Sequence, residues 1–148
     1  MGTFESLPHT ADVGFRARGA SLTDVFETAA QAMFSVEYDT STVGFELEVD
    51  VEANEEDLEG LLVAWLAELL FLHDARGIVF GDFVVIELGE APMTRVGEPK
   101  LKVRGVGRGR EMGDWFEQTG PQVKAVTLHG LELEEKRRGY EATVYLDV

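Results

Sequence analysis

Between Leu58 and His73, apolar side chains return every three or four residues, at Leu58, Leu61, Leu62, Trp65, Leu66, Leu69 and Leu70. That is the period of a helix, and a stripe this wide belongs in a core rather than in an open groove. The pattern predicts a helix from about Glu55 to Asp74, with Asn54 as its cap and Gly77 as its stop. Glu59 and Glu68 interrupt the run, which is too short to span a bilayer.

A second helical face begins after Ser21, with Leu22, Val25, Phe26, Ala29, Ala30, Met33 and Phe34 on one side. Ser21 is its expected cap, with Asp24 three residues on. The remainder alternates with a period of two. Val43, Phe45, Leu47, Val49 and Val51 face one way, and Glu46, Glu48, Asp50 and Glu52 the other. Tyr140, Ala142, Val144, Leu146 and Val148 repeat the pattern at the C-terminal end. Residues 13–18, 79–88, 101–106 and 123–128 are further strand candidates, with long loops expected over 89–97 and 105–120. Two helices among mostly antiparallel strands make an α+β domain. With 148 residues and no linker-like tract, the expectation is one domain over 1–148.

Composition removes several kinds of chemistry. The chain has no cysteine, which excludes thiolate catalysis, cysteine-held zinc and a disulfide framework, and fits a cytoplasmic protein. The N-terminal residues lack the basic and apolar segments of a signal peptide, and no membrane association is expected. A net charge of −15 repels phosphate backbones, so tight, non-specific binding of RNA or DNA is not expected. It suits solubility, a bound cation, or docking onto a basic enzyme.

Several motifs fail on inspection. Asp50-Val-Glu52-Ala-Asn54 starts like an EF-hand, but Glu55 and Leu61 stand where the loop needs glycine and glutamate. Gly105, Gly107 and Gly109 do not have the spacing of a dinucleotide fingerprint. Lys100, Lys102, Arg104, Arg108 and Arg110 cluster around them, as a phosphate contact or, more simply, a charged edge strand. Trp115 and Phe116 suit either satellite core or a partner anchor. There is no nucleophile elbow, P-loop or zinc-binding helix. His73, near a helix C-terminus, reads as structural.

Two islands remain, at the two extremes of the chain. Leu7-Pro8-His9-Thr10-Ala11-Asp12-Val13-Gly14 precedes a strand, and its Pro and Gly present His9, Thr10 and Asp12 from a constrained loop. Lys124-Ala125-Val126-Thr127-Leu128-His129-Gly130 is followed by a strand ending Leu146-Asp147-Val148. On the residues alone, ordinary turn chemistry accounts for both.

These islands, together with Ser21-Leu22 through Ala29-Ala30-Gln31-Ala32-Met33 and with Trp65-Leu66-Ala67-Glu68-Leu69-Leu70, resemble the archease family across nearly the whole chain. The resemblance implies two helices sandwiched between β-sheets. It implies no enzyme but a protein cofactor of the GTP-dependent RNA-splicing ligase of the RtcB type, one that promotes guanylylation and multiple turnover. RNA would then be met only through the ligase. It implies a metal site, usually calcium, at Asp12 and Asp147, and an activity-linked lysine at Lys124, with His9 and His129 as motif neighbours. The C-terminal carboxylate of Val148 is a further candidate ligand. Two carboxylates plus carbonyls and water suit a hard cation that takes six to eight oxygens. Ala67, where the family pattern is more polar, and the 107–120 segment depart from that pattern. The alternative is a general adaptor or chaperone for RNA-modifying enzymes such as a tRNA methyltransferase, and the oligomeric state, including a homo-oligomer, is left open. A phosphate-ester hydrolase using the same carboxylates lacks any further acid–base or nucleophile group.

Overall fold

The wide leucine stripe forms the central helix, but it starts three residues later than its pattern suggests. In a computed structural model, which describes residues 2–7, 12–91, 96–98 and 100–148, that helix runs Leu58–Arg76. Its cap is Asp57, whose Oδ1 accepts from the Gly60 N–H at 2.6 Å, and not Asn54. Asn54 and Glu55 belong to the preceding strand, whose ladder continues to a Glu55–Leu101 pair. Gly77 ends the helix in the left-handed conformation at φ 65°, as its position suggested.

In chain order the elements are β1 (Thr3–Leu7), β2 (Val13–Gly19), α1 (Leu22–Ser35), a 3-10 turn (Thr40–Thr42), β3 (Leu47–Glu55), α2 (Leu58–Arg76), β4 (Ile78–Glu90), β5 (Leu101–Glu111), β6 (Ala125–Lys136) and β7 (Gly139–Asp147). The strands form two antiparallel sheets, a four-stranded one ordered β1-β2-β7-β6 and a three-stranded one ordered β3-β5-β4. Both helices lie between them. α1 packs on β1, β2 and β7 of the first sheet and on β4 of the second; α2 packs on β6 of the first and on β3, β4 and β5 of the second. This is the expected α+β sandwich.

The helices are buried because both sheets need covering and each helix offers a wide apolar surface. Phe26, Met33 and Phe34 of α1 and Leu61, Leu62, Trp65, Leu66 and Leu69 of α2 are essentially inaccessible. Each large apolar side chain so buried contributes about 1.5–3 kcal/mol. The Trp65 indole N–H donates to the Phe26 carbonyl at 3.0 Å, which ties the two helices together without leaving a buried donor unmatched.

Several strand assignments change: the strand expected over 123–128 runs Ala125–Lys136, and Gly89 and Glu90 belong to β4, not to a loop. β1 was not expected, because five mostly exposed residues carry little alternation. Val43 and Phe45 are not in β3: Val43 caps the 3-10 turn and is buried, while Phe45 is 65% exposed. Residues 105–111 are not loop but the second half of β5, and β5 is the middle strand of its sheet, not an edge.

The glycines of β5 explain that last difference. Gly105, Gly107 and Gly109 alternate onto the buried side, where the Trp65 ring and Phe80 lie close against the strand. A Cβ on Gly105 would stand 2.8 Å from Trp65 Cη2, and one on Gly107 would collide with the Phe80 ring. The cations alternate outward and meet acids on both neighbours: Lys102 with Glu52, Arg104 with Glu87, Arg108 with Glu48 and Asp82, and Arg110 with Glu46. The basic run is thus a cross-strand ion-pair ladder. Trp115 and Phe116 pack against the main core; the Arg110 guanidinium lies 4.3 Å from the centre of the Trp115 ring.

Candidate functional site

The described residues of the two islands at the ends of the chain meet at one end of the four-stranded sheet. β2 and β7 are paired from Gly19–Tyr140 to Val13–Leu146. One residue beyond that last pair stand Asp12, just before β2, and Asp147, the last residue of β7. On the other flank of β7, Asp147 is opposite Ala125, and the Lys124 N–H donates to the Asp147 carbonyl at 2.8 Å. Backbone hydrogen bonds therefore join these segments, although Asp12 and Asp147 lie 135 positions apart in the chain.

Pleating decides which way the side chains point. Val144 and Leu146 are fully buried against the helices, as is Phe15 opposite Val144. Successive residues alternate faces, so Tyr145 and Asp147 lie on the outer face with Gly14. Asp147 and Lys124 are exposed, and Asp12 is half-buried. Val148 packs partly against the core.

His129 sits in an irregular stretch of β6. Between the pairs Thr127–Tyr145 and Glu132–Thr143, five steps along β6 answer two along β7, so three residues are extra. The Thr127 hydroxyl donates to the His129 carbonyl at 3.4 Å, Gly130 takes φ 74°, and His129 is exposed. His9 lies outside the described residues, as do Pro8 and Thr10.

Towards the other end of the same face the charges are already paired. Arg18 bridges Glu5 at 2.7 Å and Glu141 at 2.8 Å, and Arg16 joins the same two acids. The Arg18 hydrogen bond and charge hold the Glu5 carboxyl below its usual range.

Asp12 and Asp147 each stand one residue beyond the last pair of the β2–β7 ladder and offer oxygen donors there. That suits a hard cation whose other ligands are carbonyls and water. Among the described residues no third His, Asp or Glu joins them in a metal-binding group.

One polar pair went unseen in the sequence. His73, read as structural from its place at a helix end, is buried with Glu37, their side chains 5% and 4% exposed, and Nε2 lies 2.6 Å from Glu37 Oε2. Its Nδ1 is 2.7 Å from the Ile78 carbonyl, so both ring nitrogens face acceptors. Burial opposes the imidazolium, but the hydrogen bonds to Glu37 and Ile78 and the charges of Glu37 and Asp74 outweigh it and raise the His73 pKa. The partners are 36 residues apart and no spacing announces them.

The class is that of an antiparallel sandwich enclosing two helices, with two carboxylates and a lysine near one sheet end. Known proteins narrow that class. The sequence profile of the Archease protein family matches residues 4–148. Protein archease of Methanothermobacter thermautotrophicus is 40% identical over the full length of both chains. Protein archease of Methanosarcina acetivorans is 40% identical, covering 98% of this chain and 95% of its own. The solution structure of Methanobacterium thermoautotrophicum protein 1598 superposes with a TM-score of 0.80 at 37% identity, covering 98% of each chain. A crystal structure from Thermotoga maritima, described as an archease and possible chaperone, shares the fold with a TM-score of 0.58 at 20% identity over 97% of this chain and 96% of its own. The chain belongs to the archease family.

Proposed function

We propose that this protein is a cofactor of an RtcB-type, GTP-dependent RNA ligase, promoting guanylylation of the ligase and repeated turnover. The observation that carries the reading is the convergence of Asp12, Asp147 and Lys124, drawn from opposite extremes of the chain, at one end of one sheet. Family membership adds to it.

In this reading Asp12 and Asp147 hold a calcium ion or another hard divalent cation, which supplies a localised positive charge at the docking end. Lys124 exposes its ammonium beside that end and meets a phosphate or a partner carboxylate as a point charge. The β2–β7 ladder ends at the residues next to both aspartates, so its backbone hydrogen bonds would support their positions. The −15 charge keeps the protein off free RNA, so RNA is reached through the ligase. The protein itself turns over no substrate, and it works in the cytoplasm.

The test is ligase guanylylation by GTP with and without the protein, in calcium and after chelation. The reading predicts faster guanylylation with the protein, lost in the Lys124→Ala variant, which should fold normally. Equal guanylylation with and without the protein would overturn it. The Thermotoga maritima relative's description as a possible chaperone favours a second reading, an adaptor for RNA-modifying enzymes such as a tRNA methyltransferase. An adaptor acting through surface alone would keep its effect on its enzyme in an Asp147→Ala variant.

A further inference from the structure

Both sequence islands end in a glycine that the cation site does not use, Gly14 in the first and Gly130 in the second. The structure shows what they have in common. A Cβ on Gly14 would stand 2.5 Å from Tyr145 Cε1 and 2.7 Å from Cδ1. A Cβ on Gly130 would stand 2.8 Å from Tyr145 Cε2 and 2.9 Å from Cδ2. One edge of the ring therefore fills the space of a missing side chain on β2, and the other edge fills the same space on β6. Real Cβ atoms do not approach other atoms this closely, so any larger residue at either position would displace the ring.

Tyr145 is on the outer face, away from the helices, and half-exposed, so it adds little to the core. It precedes Asp147 by two residues on the same face of β7, and its ladder partner Gly14 is two residues from Asp12. The extra residues of β6 and the positive φ of Gly130 carry the second island under its ring. The ring thus spans three strands at the point where both islands arrive. Glycine at φ 74° is also a conformation that other residues rarely adopt.

We propose that Tyr145 is a positioning residue of the Asp12–Asp147 site, an aromatic wedge that locks the Asp12–Gly14 and Lys124–Gly130 segments at a fixed separation. The inference rests on the cation site of the proposed function. It deepens that site by assigning the work to a residue that touches neither cation nor substrate, and it accounts for the two glycines as the slot the wedge occupies.

The experiment measures calcium affinity by calorimetry, and terbium luminescence excited through tyrosine, on the full chain. Wild type should bind both ions, with sensitised terbium emission from the neighbouring Tyr145 ring. Tyr145→Phe keeps the wedge, so calcium affinity should be retained while the sensitised emission drops. Tyr145→Ala should weaken calcium binding by about 10–100-fold, the usual cost of losing a residue that orients ligands. Gly14→Ala should weaken it as well, and should add little in the Tyr145→Ala background, where the ring it displaces is gone. Matched melting curves separate this from unfolding. Calcium binding in wild type that is unchanged in Tyr145→Ala overturns the wedge while leaving the site intact. Absence of calcium binding in wild type overturns the cation site itself, and the wedge with it.

Discussion

Replacing Glu37 by Gln should lower stability at pH 6 and flatten its dependence on pH. In the native protein the His73 ring donates to the Ile78 carbonyl through Nδ1 and meets the Glu37 carboxylate through Nε2 at 2.6 Å. A raised folded-state pKa means that the native protein holds a proton that the unfolded chain releases near the ordinary histidine value. Below that value both states carry the proton and the full stabilisation is present. As pH rises through the folded pKa, the native proton is lost and so is the stabilisation. With Gln at position 37 the ring is best accommodated neutral, its Nε2 accepting from the new amide, and the stabilising proton uptake on folding is lost. A hydrogen bond to a charged group contributes about 1.5–3 kcal/mol, and because both side chains are buried little is lost to solvent screening. For a chain of this length that is about 4–10 °C in melting temperature at pH 6. The assay is urea unfolding of both proteins at several pH values from 6 to 9, read by tryptophan fluorescence and circular dichroism. The wild-type advantage should shrink as pH rises. A constant gap across that range, or none at pH 6, would refute the assignment of the native proton to His73.

Other consequences follow from the packing and the site. Gly107→Ala drives a methyl into the Phe80 ring and should cost about 1–3 kcal/mol in denaturant unfolding, although the residue lies in a strand where alanine is otherwise harmless. Asp57→Ala removes the α2 cap and should cost about 1 kcal/mol in the same measurement, whereas Asn54→Ala should change little. Lys124→Ala should melt like wild type, because the residue is exposed and its backbone hydrogen bond to Asp147 is kept, yet it should lose most stimulation in a guanylylation assay.

The helices were legible because their apolar periodicity is strong enough to survive any context; the start of α2 was not, because Asn54 and Asp57 are equally good caps and only the β3–β5 ladder decides between them. β5 was half-hidden for a physical reason. Glycine in sequence signals loop, but Gly105, Gly107 and Gly109 are there so that Trp65 and Phe80 can lie against the strand. The same blindness covers charge: Arg104, Arg108 and Arg110 read as a basic patch until their acidic partners on β3 and β4 are placed beside them. At the candidate site, Asp12, Lys124 and Asp147 could be picked out by resemblance, and their adjacency needed only the pairing of an early strand with the last. That early strand is β2, since β1 takes the edge. Tyr145 carried no signal in one sequence, because its neighbours Gly14 and Gly130 are defined by register and by three extra residues in β6.

The central claim is that Asp12 and Asp147 act together in assisting a ligase, and it is tested most directly by counting ligation events per ligase molecule. The assay uses an RtcB-type ligase, GTP and an excess of RNA ends, with wild-type protein, Asp12→Asn, Asp147→Asn and the double variant. Wild type should carry the ligase through many turnovers, each single variant should lose most of that effect, and the double variant should be no worse than either single one. Full multiple turnover with the double variant would contradict the account.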